Sequence, residues 1–455
     1  MSSPLRRELS VLTRLAVPVA ITQLALMAMG VVDMLMLGHV GKEALGAAAL
    51  ANSWITGCQL VLQGFLFGID PLVSQAHGAH DKRGVSLALQ RGLILAGVAA
   101  ALAGPLALWT AEVLELTRQD PQLFERAQAY ATARIPGMLP FYVFATLRAW
   151  LQGRGIVRPA LMTALVGNVV NAVANYGLIF GELGLPALGV QGAGIATSCT
   201  SWAMLIALLL IIKSARLGRG GWTGWSKDAL KAKGFARVLL LGFPIAAQLG
   251  LEIFAFQFST FASGLLSISA LAAHTVALNL CSITFMVPLG VAIAASTRVG
   301  NLIGAKRPED AQRSAWTALG MGAAVMACFA AIFVLFRHHL PALYGAEPGV
   351  AALAALILPI AAAFQVFDGL QVIGGGILRG MATPKAIAWL NFFGYYGIGV
   401  PLSWYLAFHL GHGLPGIWWG LAVSLFFVAI GVCIYLRLRG PALASRDLAS
   451  EREAQ

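Results

Sequence analysis

Acidic side chains inside apolar runs are the residues of this sequence most suited to chemistry: Asp33, Asp70, Glu252 and Asp368. In a membrane helix, a central acid costs about 2.5–3.5 kcal/mol on insertion scales, so such acids usually face a cavity and mark an ion path. Two nearby carboxylates resist being ionised together, and a bound cation or proton relieves their repulsion. These acids predict a cation-binding site, although buried acids can also serve helix packing. For Asp70, which precedes Pro71, a structural role is at least as good an explanation.

Amide side chains share one helix face in the apolar stretch near residue 170. Asn168, Asn171 and Asn175 are spaced three and four residues apart, which places them on the same side of a helix. Amide oxygens, like the carboxylate of Asp33, are good ligands for a hard cation. A cation site is therefore one interpretation. Hydrogen bonding between helices, worth about 0.6 kcal/mol on average in membranes, is an equally good one.

Aromatic and polar residues cluster in the segment EIFAFQFSTFASG, which begins at Glu252. Its phenylalanines recur at intervals of four and three residues, and a glutamine lies between them. A cavity lined by aromatic rings beside an acid suits a lipophilic organic cation, through cation–π attraction and charge. An ordinary stripe of aromatic residues facing lipid is the alternative. The predicted substrate-cavity residues are Phe254, Gln257, Phe258, Phe261 and Phe285.

The elements that must position these residues are membrane helices. The chain is 58% hydrophobic and 11% charged, with a mean hydropathy of +0.78, whereas soluble domains carry about 25% charged residues. Apolar stretches of about 20 residues recur, each long enough to cross a bilayer. Because these runs are continuously apolar, they favour helices over a barrel. The twelve predicted spans are centred near residues 25, 60, 98, 137, 170, 203, 250, 284, 325, 363, 398 and 426.

The net charge of +12 is a topology signal rather than a sign of nucleic-acid binding. If the N-terminus is cytoplasmic, 26 of the 31 Lys and Arg residues fall in inner segments. The five exceptions are Lys42, Arg118, Arg126, Arg134 and Arg337. This bias follows the positive-inside rule and predicts that both termini are cytoplasmic. The first span is too long for a signal-peptide core and lacks a small-residue cleavage site, so we expect it to be retained.

A faint internal repeat divides the chain into two halves. A shift of 226 residues places Pro18 on Pro244, and a shift of 225 places the RGxxxP motif at Arg154 on that at Arg379. Each half has six predicted spans, so the repeat is parallel, with its axis along the membrane normal, as in transporters that rock two bundles about a central site. The acids have no counterparts in the other half, which indicates that something other than folding placed them there.

This repeat predicts four regions. They are an N-terminal six-helix lobe (residues 1–212), a cytoplasmic linker (213–237), a C-terminal six-helix lobe (238–440) and a disordered cytoplasmic tail (441–455).

The five cysteines lie in apolar runs without metal-ligand spacing, so we expect neither a disulfide nor a metal cluster. There is no Walker A pattern and no clustered nucleophile. We therefore expect a transporter that runs on an ion gradient, without ATP, and not an enzyme.

Longer segments resemble a known family. PLVSQAHGA, AHTVALNLCSITFMVPLGVAIAASTRVGNLIGA and FQVFDGLQVIGGGILRG are similar to segments of the multidrug and toxic compound extrusion (MATE) family, in its NorM-like bacterial branch. The resemblance covers roughly residues 12–437. It implies an all-α integral membrane protein whose twelve transmembrane helices form two six-helix lobes in a V. It also implies export of cationic, lipophilic drugs in exchange for sodium ions or protons.

The resemblance also assigns the site residues. Glu252 and Asp368 match the paired acids of the family's C-terminal lobe, and Asp33 matches the acid of its first span. Asn171 and Asn175 match a polar pair on the fifth span, where some relatives have Asp at the second position. An amide cannot titrate but can coordinate sodium. We therefore favour sodium over protons as the coupling ion, bound at Asp33 or at the acid pair.

These observations lead to one predicted function and one alternative. The predicted function is secondary active efflux of lipophilic organic cations by a rocking antiporter. The alternative is a flippase or exporter of a lipid-linked or metabolite substrate in the same superfamily. The expected partners are small cationic drugs and the lipid bilayer, with no nucleic acid and no cofactor besides the coupling ion. We expect a functional monomer that crosses the bacterial inner membrane many times.

Overall fold

A computed structural model describes residues 4–443, and these residues form helices and connecting segments without any β-strand. Twelve long helical runs follow one another, and we call them spans 1 to 12. Spans 1–6 are Pro4–Val40, Lys42–Leu66 continued by Ile69–Gly78, Lys82–Leu108, Phe124–Gly153, Arg158–Phe180 and Gly189–Ser214. Spans 7–12 are Ala232–Leu266, Ile268–Gly304, Pro308–Leu335, Pro348–Gly380, the run from Pro384 to His409, and Gly413–Arg439. The predicted twelve-helix, all-α fold is confirmed.

Most of these runs are built to cross a membrane. Ten of them are long and apolar enough to do so by length and composition. Span 4 carries more charge, and span 11 is interrupted by two π-helical segments, Phe393–Gly399 and Tyr405–His409. The short connecting pieces are a helix at Thr110–Leu116 and 3₁₀ turns at Pro121–Leu123, Lys227–Leu230 and Pro341–Tyr344.

Local sequence signals begin and end several spans. The Asp81 side chain accepts a hydrogen bond from the backbone N–H of Gly84 and caps span 3. Ser267 caps span 8 in the same way, through the N–H of Ala270. Span 5 ends at Gly181, whose φ of 79° lies in the left-handed region that favours glycine. These caps satisfy backbone groups that the helix ends would otherwise leave without partners.

The chain folds into two compact units. The N-terminal unit is Ile21–Ala246, and the C-terminal unit combines Met1–Ala20 with Ala247–Gln455, of which residues 4–20 and 247–443 are described. Spans 1 and 7 therefore each contribute to both units. The lobe boundaries that the repeat predicts, 1–212 and 238–440, stay a prediction, because these units are defined by packing alone. The predicted disordered tail, residues 441–455, lies outside the described residues except for 441–443.

The early part of span 1 packs in the C-terminal unit. Leu12 is fully buried in a cluster that includes Val291 of span 8. The Glu8 carboxylate accepts two hydrogen bonds from the Arg298 guanidinium, Nε to Oε1 at 2.7 Å and Nη2 to Oε2 at 2.9 Å. This bidentate pair fixes the first turns of span 1 against span 8.

Glycines allow spans 8 and 10 to approach closely within the same unit. A β-carbon on Gly376 would lie 2.8 Å from the carbonyl carbon of Ala292, and one on Gly380 would lie 2.5 Å from the carbonyl oxygen of Ser296. Small residues at such contacts are characteristic of helix packing in membranes. The sequence GGGILRG of span 10 is thus a packing surface, and it holds the segment that carries Asp368 against span 8.

The linker after span 6 is bound to the N-terminal unit. Gln90 of span 3 donates to the carbonyl oxygen of Gly224 at 2.7 Å and accepts from the backbone N–H of Ser226 at 2.9 Å. Arg154 donates to the carbonyl oxygen of Leu217 at 2.7 Å. The linker therefore has defined contacts with the ends of spans 3 and 4 and is not a free tether.

Candidate functional site

The first candidate site lies in the N-terminal unit, where spans 1, 5 and 6 bring polar side chains together. Asn171 and Asn175 each donate an amide hydrogen bond to Oδ1 of Asp33, at 2.9 and 2.5 Å. The Thr197 hydroxyl donates to the other carboxylate oxygen at 3.4 Å. Asp33 is 6% exposed and Asn175 is fully buried. We call these four residues the Asp33 cluster, a polar site enclosed in apolar helices.

The two amide oxygens of this cluster accept no hydrogen bond from the part of the chain that the structure describes. Within residues 4–443, Oδ1 of Asn171 and Oδ1 of Asn175 are buried and have no hydrogen-bond partner. A half turn of either amide exchanges its NH₂ group for its oxygen. Asn168, on the same helix face, instead donates to the backbone carbonyl oxygens of Ala25 and Ala164. Two of the three asparagines singled out in the sequence therefore meet Asp33, and the third serves helix packing.

Arg134 lies close to this cluster, although the charge bias of the sequence predicts an outer segment for it. It lies well inside span 4, where its guanidinium donates to Asn52 at 2.7 Å and to Gln59 at 3.0 Å. It also stands 5.7 Å from the ring centre of Tyr130 and within electrostatic range of Asp33. A basic residue in the apolar stretch before Pro136 was the available signal, but charge counting alone treated it as topology.

The second candidate site lies in the C-terminal unit and contains the predicted acid pair. Asp368 of span 10 is 5% exposed, and Glu252 of span 7, which is half-buried, lies within its electrostatic range. Gln371 and Arg379, also on span 10, lie within range of Glu252. In the described part of the chain, Oδ1 of Asp368 is buried without a hydrogen-bond partner. A carboxylate oxygen in that position is able to accept a cation or a proton.

A tyrosine completes the second site and was not foreseen. Tyr395 is 1% exposed, interacts electrostatically with both Glu252 and Asp368, and its hydroxyl has no hydrogen-bond partner among residues 4–443. It belongs to the π-helical segment Phe393–Gly399, and such segments are frequent at functional sites. The next residue, Tyr396, donates to the carbonyl oxygen of Leu251, beside Glu252. The GYYG sequence of span 11 was the only visible signal.

The predicted substrate-cavity residues divide into two groups. Phe254 and Phe261 are 69% and 63% exposed, and Gln257 is exposed as well. Phe258 and Phe285 are half-buried, the latter against the core shared by spans 8 and 10. Three of the five therefore form an exposed face of span 7. Their role in substrate binding stays a prediction.

Asp70 belongs to neither site. It lies within electrostatic range of the buried Arg148, which donates to Gln23 of span 1 at 3.2 Å. This placement favours the structural role that the sequence allowed. Among the described residues, no group of three His, Cys, Asp or Glu side chains could hold a metal ion.

A comparison with family models decides the relationship. The model of the MatE family matches residues 18–177 and, a second time, residues 244–405. The chain belongs to the MatE family. The two matches begin at Pro18 and Pro244, the prolines that the 226-residue shift superimposes, so the internal repeat is confirmed. Membership in this family also confirms that the chain is a transporter rather than an enzyme.

Individual relatives support the same assignment. The multidrug resistance protein NorM of Burkholderia vietnamiensis is 37% identical over 429 residues, which cover 92% of this chain and 91% of the relative. The multidrug resistance protein PmpM of Pseudomonas aeruginosa is 33% identical over 441 residues, which cover 95% and 92%. The resemblance to the NorM-like branch is thereby confirmed.

Solved structures show the same fold. The eukaryotic MATE transporter AtDTX14 superimposes with a TM-score of 0.90 over 99% of this chain and 100% of that one, at 24% identity. The Vibrio cholerae MATE transporter VcmN in its bent form gives a TM-score of 0.86 over 98% and 99%, at 18% identity. The twelve-helix architecture is therefore that of the family.

Proposed function

We propose that this chain is a secondary active multidrug efflux antiporter, which exports lipophilic organic cations in exchange for sodium ions by rocking of its two lobes. The observation that carries the proposal is a buried carboxylate with polar neighbours in each packing unit, Asp33 in one and Asp368 in the other. Intramembrane acids are costly and mark ion paths. The names of the NorM and PmpM relatives support the multidrug part of the proposal.

The Asp33 cluster supports sodium as the coupling ion. A hard cation that sheds water needs several oxygen ligands. Asp33 supplies a carboxylate. The amide NH₂ groups of Asn171 and Asn175 face it, and a half turn of each amide would bring its oxygen to Asp33 instead. Both oxygens are at present buried without hydrogen-bond partners among the described residues. Thr197 adds a hydroxyl oxygen. Of these four side chains only Asp33 can gain and lose a proton at working pH, so a proton relay would have only one titratable group here.

The exposed face of span 7 supports a lipophilic cation as the exported substrate. Phe254 and Phe261 present their rings outside the packed core of the C-terminal unit, and Glu252 lies at the start of the same segment. Aromatic rings attract organic cations, and a nearby acid adds charge. We propose that these residues, with Gln257 and Phe258, contact the drug.

The proposed setting is the bacterial inner membrane, in which the protein acts as a monomer with both termini cytoplasmic. The bacterial relatives and the bias of 26 of 31 basic residues toward one side support this orientation. A reporter fused after Arg439 should be active only in the cytoplasm. Activity only in the periplasm would contradict the orientation.

Purified protein in proteoliposomes tests the coupling ion. A fluorescent organic cation is loaded, and either a sodium gradient at equal pH or a pH gradient without sodium is imposed. We expect the sodium gradient at equal pH to drive export and the pH gradient without sodium to drive none. Full export driven by the pH gradient alone would show that protons, and not sodium ions, are the coupling ion. Movement of a lipid-linked substrate, with no movement of the drug under either gradient, would favour the flippase alternative.

Substitutions in the two clusters test the sites. Asp33→Asn should remove most sodium stimulation, because it deletes the only carboxylate of its cluster, and Glu252→Gln and Asp368→Asn should abolish gradient-driven export. Asn168→Ala is the matched control, since Asn168 contacts backbone carbonyls rather than Asp33. If the three acid variants transport normally per folded molecule, these acids serve helix packing and not ion coupling.

A further inference from the structure

A cavity of about 670 Å³ opens at one end of the N-terminal unit. It lies where span 1 turns into span 2 and where spans 4 and 6 begin. It is lined by residues 40–44, by Glu125, Arg126 and Ala129, and by residues 188–191. We call it the Arg126 cavity. None of the candidate site residues described above lines it.

The lining of the Arg126 cavity suits small ions better than drugs. Drug sites are lined mainly by apolar and aromatic side chains, and no aromatic ring lines this cavity. Charged residues of both signs line it instead: Lys42, Glu43, Glu125 and Arg126. Glu43 and Arg126 form an exposed ion pair at 2.6 Å that joins span 2 to span 4. Lys42 and Glu125 add one positive and one negative charge, so the lining is polar and has no large net charge.

The cavity shares spans 1 and 6 with the Asp33 cluster, and it shares span 4 with Arg134, which lies close to that cluster. Val40 at the end of span 1 and the adjoining Gly41 line the cavity, and Leu37 and Asp33 lie four and eight residues before Gly41, each about one turn deeper. Since a helical turn rises about 5.4 Å, the carboxylate lies about 12 Å along the helix from the cavity.

Spans 4 and 6 repeat this three-layer order at the same spacing. On span 6 the layers are Gly189, Ala193 and Thr197, where Thr197 is a member of the Asp33 cluster. On span 4, Arg126 lines the cavity, Tyr130 lies one turn deeper, and Arg134, close to the Asp33 cluster, lies one turn deeper again. On each of these three helices the cavity therefore lies about two turns from the level of the Asp33 cluster.

A thin apolar layer separates the cavity from the cluster. Leu37 and Ala193 are fully buried and Tyr130 is 1% exposed, and all three belong to one packed cluster. This layer is a single residue deep on each helix. Leu37 and Tyr130 carry the side chains of this layer that can change rotamer.

We propose that the Arg126 cavity is the vestibule through which a small monovalent cation, sodium in the first place, reaches Asp33, and that Leu37, Tyr130 and Ala193 form its gate. This inference rests on the proposed coupling role of Asp33. It assigns the ion a route inside the N-terminal unit, separate from the face of span 7 that we propose for the drug.

Charged adducts placed in the vestibule test the proposal. Gln191 is exposed and lines the cavity, so Gln191→Cys can be labelled in detergent with a cationic or an anionic methanethiosulfonate of similar size before reconstitution. Leu116→Cys is the matched control, because Leu116 is 83% exposed on a connecting segment of the same unit and lies outside the cavity lining. The parental chain, with its five native cysteines, is treated in parallel.

The expected result is a shift in the sodium concentration that half-saturates drug export at low, constant ionic strength. A unit charge about 12 Å from the ion site changes its affinity by about two- to tenfold for effective dielectric constants from 80 to 20. The cationic adduct at residue 191 should raise the half-saturating concentration and the anionic adduct should lower it. Neither adduct should shift it at residue 116.

Each outcome assigns the failure to one proposal. Equal sodium titrations with both adducts at residue 191, while Asp33→Asn removes sodium stimulation, would overturn the vestibule and leave the function intact. Equal shifts at residues 191 and 116 would also overturn it, since the effect would then be a general surface field. Full sodium stimulation in Asp33→Asn would refute the coupling role itself. Ala129→Cys, on the span 4 side of the cavity, provides a second position with the same expected signs.

Discussion

The three consecutive glycines of span 10 should tolerate an added methyl group very differently. At Gly376, a β-carbon would meet backbone atoms of Ala292, its carbonyl carbon at 2.8 Å and its α-carbon at 2.9 Å. At Gly375 the nearest atom would be the side-chain Cγ1 of Ile387, at 3.4 Å. Backbone cannot rotate away as a side chain can. Gly376→Ala therefore forces spans 8 and 10 apart by several tenths of an ångström or more, whereas Gly375→Ala fits.

The magnitude follows from the cost of overpacking. Inserting a methyl group into a close-packed core costs about 1–3 kcal/mol. For a unit of about 200 residues, each kcal/mol lowers the melting temperature by about 2–4 °C. We expect Gly376→Ala to lower the midpoint of thermal unfolding by about 2–12 °C and Gly375→Ala by less than about 2 °C.

Fluorescence-detected size-exclusion chromatography after heating, with the protein in detergent, measures both variants. Gly376→Ala should also weaken gradient-driven export at temperatures where it stays folded, because span 10 carries Asp368 two turns earlier. A midpoint for Gly375→Ala at or below that of Gly376→Ala would refute the assignment of the close contact to Gly376.

Three further predictions follow from single contacts. Glu8→Gln should destabilise the fold by about 2 kcal/mol, since it leaves the half-buried Arg298 without its bidentate partner; a double-mutant cycle with Arg298→Gln should show that the two losses are not additive. Tyr395→Phe should change the half-saturating sodium concentration of export about two- to tenfold, whereas an unchanged titration would separate this hydroxyl from the acid pair. Hydrogen bonds from Lys231 and Arg83 hold the pKa of Asp228 below its ordinary value of 3.8, so linker docking should persist at pH 5, weaken as the pH falls below 3.8, and be weakened already at pH 7 in Asp228→Asn. Limited proteolysis of the linker measures this docking, and equal cleavage rates at pH 7 and pH 3 would contradict it.

The helices could be predicted because a bilayer leaves little choice. In an apolar solvent each span must satisfy its own backbone groups, so a long hydrophobic run is nearly sufficient to specify a helix. The centres predicted from hydropathy all fall inside observed spans. Even span 11, with its π-helical segments, was located as a span, although the change of helix type left no trace in hydropathy.

Contacts between spans were harder to foresee. Asn171 and Asn175 both contact Asp33 because polar groups in apolar surroundings are stabilised by pairing with one another. Arg134 was missed because a count of basic residues treats every arginine as a topology charge. Tyr395 was missed because a tyrosine in an apolar run is also a common interface residue. For both, only the three-dimensional neighbours distinguish the two roles.

The division of spans 1 and 7 between packing units also could not be predicted. A sequence repeat pairs equivalent positions of the two halves, but it carries no information about which neighbours each half-helix packs against. The hydropathy of span 1 is the same whether Leu12 contacts span 8 or a span of its own half.

The ion pair between Glu8 and Arg298 ties the start of the chain to a residue made much later. About 290 residues separate the two, and at about 5–20 residues per second a ribosome needs roughly 15–60 s to bridge that interval. Throughout this time the first turns of span 1 have no native partner, because their packing surface on span 8 does not yet exist. The first turns of span 1 are thus synthesised long before they can be secured, so a newly made chain that stalls before span 8 exposes the surface of span 1 that Arg298 and its neighbours would cover.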